Sequence, residues 1–270
     1  MSKYIPMSEE KIDAEVKRLL SELTPDEKIL LLAGMDNWGT AEIERLGIKS
    51  ATFTDGPHGV RNPIEAGRGG EKSTFFPVGV TMASTWNPDM IYKVGKAIGE
   101  ETKALDCDLI LGPCINIIRH PLAGRNFESY SEDPYLAGKI GVGYINGCQS
   151  IGVGTSLKHY ALNNQEHERL RGNSVADERT MREIYLSAFE TIVKEAKPWT
   201  LMCAYNRING EYASANKHLL TEILREEWGF DGLVMSDWGA VHEYEGTVKA
   251  GLDLEMPGPA RFHNLVQDGI

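Results

Sequence analysis

Four short stretches place reactive side chains where chemistry could follow. In Ser236-Asp237-Trp238 an acid follows the apolar run 232–235, one residue beyond its end, so its carboxyl must leave the core or be satisfied at the core's edge. Asp237 could serve a reaction or simply cap a helix beginning near Val241. Trp238 favours a sugar site, since an indole packs well against the C–H face of a pyranose ring. In Thr54-Asp55-Gly56-Pro57-His58-Gly59-Val60-Arg61, Asp55 could close an Asx turn or accept hydrogen bonds from two vicinal hydroxyls. Arg125 and Lys158 could donate to other hydroxyls, and the three together would describe a polyol pocket. Lys158-His159 is open to three readings: a Schiff-base lysine at a strand end, a metal-binding His, or two donors to a neutral ligand. The segment Gln165-Glu166-His167-Glu168-Arg169 lacks the i, i+4 His pair of a zinc helix, so no metal is expected, although Arg169 could reach the pocket.

These side chains need a scaffold that gathers them. Apolar runs at 51–54, 78–83, 109–111, 153–157, 200–203, 233–235 and 252–256 read as strands, separated by longer amphipathic stretches. Clear helices are expected at 177–196, with an acidic start and an apolar stripe, and at 216–228, ending at Gly229. Thr24-Pro25-Asp26-Glu27 reads as the cap and first turn of a helical lead-in. Strands alternating with helices imply parallel βα units, an α/β fold of the (β/α)8 TIM-like barrel type, incomplete at its C-terminal end because little follows the run 252–256. In such a fold the site lies at the carboxyl ends of the strands. Asp55, Lys158, His159, Tyr205, Asn206, Asp237 and Trp238 all follow apolar runs.

Composition narrows the partners. At 270 residues, with 41% hydrophobic and 25% charged residues, the chain can bury a full core as one domain. Its net charge of -11 opposes binding to nucleic acid or anionic lipid. No apolar leader and no run long enough to span a membrane are visible, so a cytoplasmic location is expected. Cys107, Cys114, Cys148 and Cys203 have no CxxC spacing and read as buried free thiols. The glycines at 67–70 and 138–147 fit no nucleotide fingerprint, and no cofactor is expected; those at 138–147 read as small-residue helix packing.

Thr54-Asp55-Gly56-Pro57, Gly124-Arg125-Asn126-Phe127-Glu128-Ser129, Lys158-His159-Tyr160 and Ser236-Asp237-Trp238, in that order, resemble the N-terminal barrel domain of glycoside hydrolase family 3, in its β-glucosidase branch. The likeness runs through nearly the whole chain. It implies retaining hydrolysis of terminal non-reducing β-D-glucosyl or related β-glycosyl residues, with Asp237 as the nucleophile that forms a covalent glycosyl-enzyme. It also implies that Asp55, Arg125, Lys158, His159, Arg169, Met202, Tyr205 and Trp238 hold the non-reducing-end sugar, with Tyr205 beside the nucleophile. In that branch the acid/base Glu comes from an α/β sandwich domain following the barrel; in the N-acetylglucosaminidase branch a His in a loop after the Lys-His motif does this work. Neither is recognisable here. The expectation is therefore a single catalytic barrel over 1–270, with the sandwich domain absent and a β-glucoside or oligosaccharide as substrate. Two other readings stay open: a non-catalytic sugar-binding barrel, and a Schiff-base lyase using Lys158.

Overall fold

The computed structural model describes residues 7–61 and 72–259. Helices α1 (Glu9–Glu22) and α2 (Pro25–Leu30) form the expected lead-in. Thr24 accepts the Glu27 N–H while the Glu27 carboxylate takes the Thr24 N–H, a reciprocal cap with Pro25 in the first turn.

βα units follow. Strand β1 (Phe53–Thr54) precedes α3 (Gly79–Ala83) and α4 (Pro88–Ala104), and β2 (Leu109–Ile110) precedes α5 (Pro134–Gln149). Strand β3 (Gly154–Tyr160) leads through β4 (Asn173–Ser174) to α6 (Glu178–Thr180) and α7 (Ser187–Ala196). Strand β5 (Thr200–Cys203) leads through the hairpin β6 (Arg207–Ile208) and β7 (Glu211–Tyr212) to a π-type helix, His218–Glu227. Finally β8 (Leu233–Ser236) precedes α8 (Tyr244–Ala250). Strands β1, β2, β3, β5 and β8 pair in that order, all parallel.

The sheet curls until its edges meet through single backbone bridges. Leu254 bridges Met235 and Glu255 bridges Ala33; Gly34 then bridges Thr40, and Gly39 bridges Thr52 next to β1. The result is an incomplete barrel, with two layers of core set by the twofold alternation of strand side chains. Phe53, Leu109, Leu111, Met202, Met235, Leu254 and Met256 pack together as one cluster inside the ring. Their strand neighbours Ile110, Leu157, Leu201, Cys203 and Val234 belong to the larger cluster shared with the helices. All four cysteines are free and buried.

Three expectations change. The run 78–83 is a helix, not a strand: its buried Gly79, Met82 and Ala83 recur at helical spacing, which a short apolar run does not distinguish from a strand by composition. The stretch 177–196 is not one uniform helix, because a π-type turn at Met181–Tyr185 separates α6 from α7. The run 252–256 pairs only at isolated positions. There the Asp253 carboxylate takes the Val234 N–H at 2.7 Å and the Ser236 hydroxyl takes the Met256 N–H at 2.8 Å, so side chains occupy donors that a longer ladder would use. The segment 260–270, where a closing helix was sought, lies outside the described residues. Among the described residues, no helix is long and apolar enough to cross a membrane.

The glycines of α5 are helix-packing positions. A Cβ on Gly147 would lie 2.2 Å from the Tyr92 carbonyl oxygen of α4, and one on Gly95 would lie 2.2 Å from that of Tyr144. Backbone cannot move aside as a flexible side chain can. Gly147→Ala is therefore expected to destabilise the protein by about 1–3 kcal/mol, read as a lower urea midpoint at unchanged slope; an unchanged midpoint would show that the two helices can slide apart freely.

Candidate active site

Parallel strands deliver their carboxyl ends to one rim, and the rim here surrounds a cleft of about 480 Å³. Asp55, Arg125, Lys158, His159, Arg169, Met202, Tyr205, Asp237 and Trp238 all line it, whereas Asn206, also expected at the rim, does not: it is buried and its amide donates to the Ala161 and Arg207 carbonyls. Asp55 follows β1, Lys158 and His159 stand in β3, Met202 in β5 with Tyr205 just beyond, and Asp237 and Trp238 follow β8. The β3 to β5 register shifts between Leu157 and Tyr160, and both Lys158 and His159 face the cleft although they are consecutive.

Lys158 is buried, with its Nζ 3.0 Å from Asp55 Oδ1 and 3.5 Å from Glu128 Oε1. Burial opposes its charge, but the two carboxylates more than offset this and hold it firmly protonated. Asp55 has the converse balance. Burial pushes its carboxyl up, while Lys158, the Gly56 N–H and Arg125 bring it below the ordinary carboxylate value. Gly56, at φ +101°, makes the turn that presents Asp55; a Cβ there would meet the Gly59 carbonyl oxygen at 2.1 Å. The residue two places on is Pro57, which has no N–H to give, so Asp55 does not close an Asx turn; its carboxyl takes the Gly56 N–H and lines the cleft. Arg125 gives Nε and Nη2 to Glu128 Oε2 at 2.9 and 2.8 Å, and Arg169 pairs with Glu166 at 2.5 Å beside the Tyr205 ring.

His159 is clamped through its backbone. Asn116 gives its amide N–H to the His159 carbonyl at 2.8 Å and accepts the His159 N–H at 2.9 Å. Burial, then the cations Arg125, Lys158 and Arg169, push the imidazole well below its usual range, so it is neutral. Its Nε2 lies 3.6 Å from Asp237 Oδ2, which is neither an ion pair nor a hydrogen bond.

Asp237 does not cap a helix, since α8 begins later and is preceded by Glu243. Its Oδ1 accepts the Trp238 N–H at 2.8 Å, whereas its Oδ2 is buried with no hydrogen-bond partner. Burial raises this carboxyl above the ordinary value, against the opposing pull of the Trp238 N–H, Lys158, the Tyr205 hydroxyl and Arg125. The Tyr205 phenol donates a hydrogen bond to the Trp238 carbonyl at 2.9 Å. Trp238 in turn donates Nε1 to the Asn37 carbonyl at 3.0 Å and packs its ring 5.8 Å from that of Trp38.

Sequence reasoning missed several contributors. Asn37, Trp38 and Arg61 line the cleft, and Asn116 and Glu128 support it from behind. Glu128 stands three residues after Arg125 in a stretch already noted, a spacing that could have marked it. Asn116 follows the end of β2, where a rim residue is expected. Trp38 carries no such signal: it reaches the site from a loop ahead of β1.

The family profile described as "Glycosyl hydrolase family 3 N terminal domain" matches residues 36–267. Thermostable beta-glucosidase B of Acetivibrio thermocellus is 49% identical over 90% of this chain and 33% of its own length. An exo-alpha-(1->6)-L-arabinopyranosidase of Bifidobacterium longum is 51% identical over 88% of this chain and 32% of its own. Among solved structures, a beta-glucosidase from Kluyveromyces marxianus in complex with glucose superposes with a TM-score of 0.91 at 44% identity, covering 94% of this chain and 31% of that one. Beta-glucosidase 3B from Thermotoga neapolitana in complex with glucose gives 0.90 at 42% identity, covering 94% of this chain and 39% of that one. The chain spans about a third of the length of the curated relatives it matches.

The Asn116 clamp is open to test. Asn116→Ala strips partners from a buried N–H and a buried C=O, and is expected to cost at least about 2 kcal/mol of stability, read by chemical denaturation. Stability within about 0.5 kcal/mol of the parent would mean that the His159 backbone finds other partners.

Proposed function

The chain belongs to glycosyl hydrolase family 3, and on that premise we propose that it carries the sugar-binding and nucleophilic part of a retaining β-glycosidase site, with Asp237 as the nucleophile. One observation carries the reading: Asp237 has one oxygen pinned by the Trp238 N–H and the other buried in the cleft without a partner. A carboxylate that served only to tie up structure would have both oxygens engaged.

In this mechanism Asp237 Oδ2 bonds to the anomeric carbon as the bond to the departing oxygen breaks, and that oxygen takes a proton from a general acid. Water, giving its proton back to the same group, then attacks the anomeric carbon and frees Asp237. Two inversions give net retention. Asp55 is suited to accept hydrogen bonds from vicinal hydroxyls, Lys158, Arg125 and Arg169 to donate them, and the neutral His159 to offer a donor without adding charge. Trp238 and Met202 supply apolar surface for the sugar's C–H face. Tyr205 steadies the nucleophile through the Trp238 carbonyl and its closeness to the carboxylate.

The general acid is the remaining part. Asp55 is a poor candidate, because its charged neighbours keep it ionised. We therefore assign the acid to a carboxylic group in a following α/β sandwich domain, in the length of the relatives that this chain does not span. The substrate is proposed as a terminal β-D-glucoside. The Schiff-base alternative is weakened by the state of Lys158, an ammonium held between two carboxylates rather than a free amine.

The test compares p-nitrophenyl β-D-glucoside and α-L-arabinopyranoside hydrolysis by the chain and by a chimera completed with the remaining length of the Acetivibrio relative. The chimera is expected to turn over one of these glycosides, and its Asp237→Ala form to lose about 10⁴-fold or more in kcat. An Asp237→Ala chimera that keeps more than a tenth of the activity would sink the assignment, and sugar binding without turnover in the chimera would favour the non-catalytic reading.

The pH profile gives a second check. Asp237 must be ionised to attack, so activity is present above its pKa and lost as pH falls through it. Burial raises that pKa, which sets the acid limb of kcat/KM above the ordinary carboxylate value. The Lys158 charge stabilises the carboxylate and lowers the limb. Lys158→Met is therefore expected to move the acid limb of the chimera to higher pH; a limb that stays in place or moves down would mean that the limb does not report Asp237.

A further inference from the structure

Glu128 is buried, 6% exposed, and is not among the residues that line the cleft. Its Oε2 takes two N–H groups of Arg125, at 2.9 and 2.8 Å, and its Oε1 lies 3.5 Å from Lys158 Nζ. One carboxylate therefore holds, from behind, two of the cations that face the cleft. Its main chain is fixed as well. The Arg125 carbonyl accepts the Glu128 N–H at 3.1 Å, and the His58 ring hydrogen-bonds the Glu128 backbone while accepting the Gly79 N–H at 3.1 Å. Gly79 lies so close that a Cβ would stand 2.4 Å from the Glu128 carbonyl oxygen. His58 belongs to the turn that begins at Asp55, and Asp55 is the other partner of Lys158. The contacts form a closed circuit: Asp55 to Lys158, Lys158 to Glu128, Glu128 to His58, and back along the chain to Asp55.

We propose that Glu128 is a positioning residue that sets the separation and aim of Lys158 and Arg125, so that each donates to a particular sugar hydroxyl; it contributes to the choice among sugar epimers without touching the sugar. This rests on the sugar-site reading given above. An ammonium and a guanidinium side by side repel each other, and a carboxylate shared between them removes the repulsion. Two bonds to one guanidinium also fix the direction of its remaining N–H groups. Glutamine keeps the shape and can still accept from Arg125, but it carries no charge to hold Lys158. Aspartate keeps the charge but is one methylene short, and reaches one cation at a time.

Equilibrium binding, followed by tryptophan fluorescence of Trp38 and Trp238, needs no turnover and so tests the proposal directly. The ligands are D-glucose, D-xylose, L-arabinose and the mono-deoxy glucoses; the proteins are the parent, Glu128→Gln and Glu128→Asp. Glu128→Gln is expected to weaken binding of the preferred sugar by roughly 10- to 100-fold, and Glu128→Asp by less. The loss is expected to be selective: at least one mono-deoxy analogue, lacking a hydroxyl served by Lys158 or Arg125, binds parent and variant within about threefold. Should Glu128→Gln fail to fold, Glu128→Asp carries the same comparison. A uniform loss across all analogues would make Glu128 merely structural and overturn the proposal, as would no loss at all. If the parent binds none of the sugars, the sugar-site reading falls and the positioning role falls with it; if the parent binds and the variants match it throughout, only the positioning role falls.

Discussion

A single buried ammonium group organises the rim of this barrel. Lys158 is 4% exposed, and a cation so far from water must be paired or it will not stay charged. Its partners come from different parts of the chain: Asp55 from the end of the first strand, Glu128 from the segment between β2 and α5, and Lys158 itself from β3. Pairing the charge therefore ties three successive βα units together at their carboxyl ends. Arg125 joins through Glu128, and Glu166 links Arg125, at 3.9 Å, to Arg169. His159 is neutral first because it is buried, and the three cations of this network add to the effect.

Against this satisfied network, Asp237 stands out. Its Oδ2 and the Trp38 Nε1 are buried polar atoms without hydrogen-bond partners, and both residues line the cleft. An unpartnered acceptor and an unpartnered donor each cost stability that packing elsewhere must offset. The offset is visible in the two core layers on either side of the sheet and in the close approach of α4 and α5 across Gly95 and Gly147. A rim held to a dense scaffold can keep a carboxylate aimed at a ligand, where a loosely supported one would turn aside to find a hydrogen bond.

Much of the site was legible because parallel topology turns sequence position into spatial position. A residue just past an apolar run lands at the rim, and Asp55, Lys158, Tyr205 and Asp237 obey that rule. The helix at Gly79–Ala83 was missed because a short apolar run fits either period, and the helical spacing of its buried Gly79, Met82 and Ala83 is seen only in the folded chain. The weak pairing at 252–256 was invisible for a related reason. Asp253 and Ser236 look like ordinary polar neighbours until their side chains are seen to take backbone bonds. Its spacing from Arg125 could have marked Glu128 as a partner of that one cation, but nothing local says that the same carboxylate also reaches Lys158.

The sequence by itself determined the parallel α/β class, the family, the strand ends that carry reactive groups and the buried state of the thiols. Each of these depends on local periodicity or on short motifs. Tertiary structure alone decided how the sheet's edges meet through single bridges, that Asn116 holds the His159 backbone, that Trp38 pairs with Trp238 across 200 residues of chain, and which oxygen of Asp237 is left free. Those features depend on distances between residues remote in sequence, and on the burial that fixes their charge states. Neither quantity exists until the chain has folded.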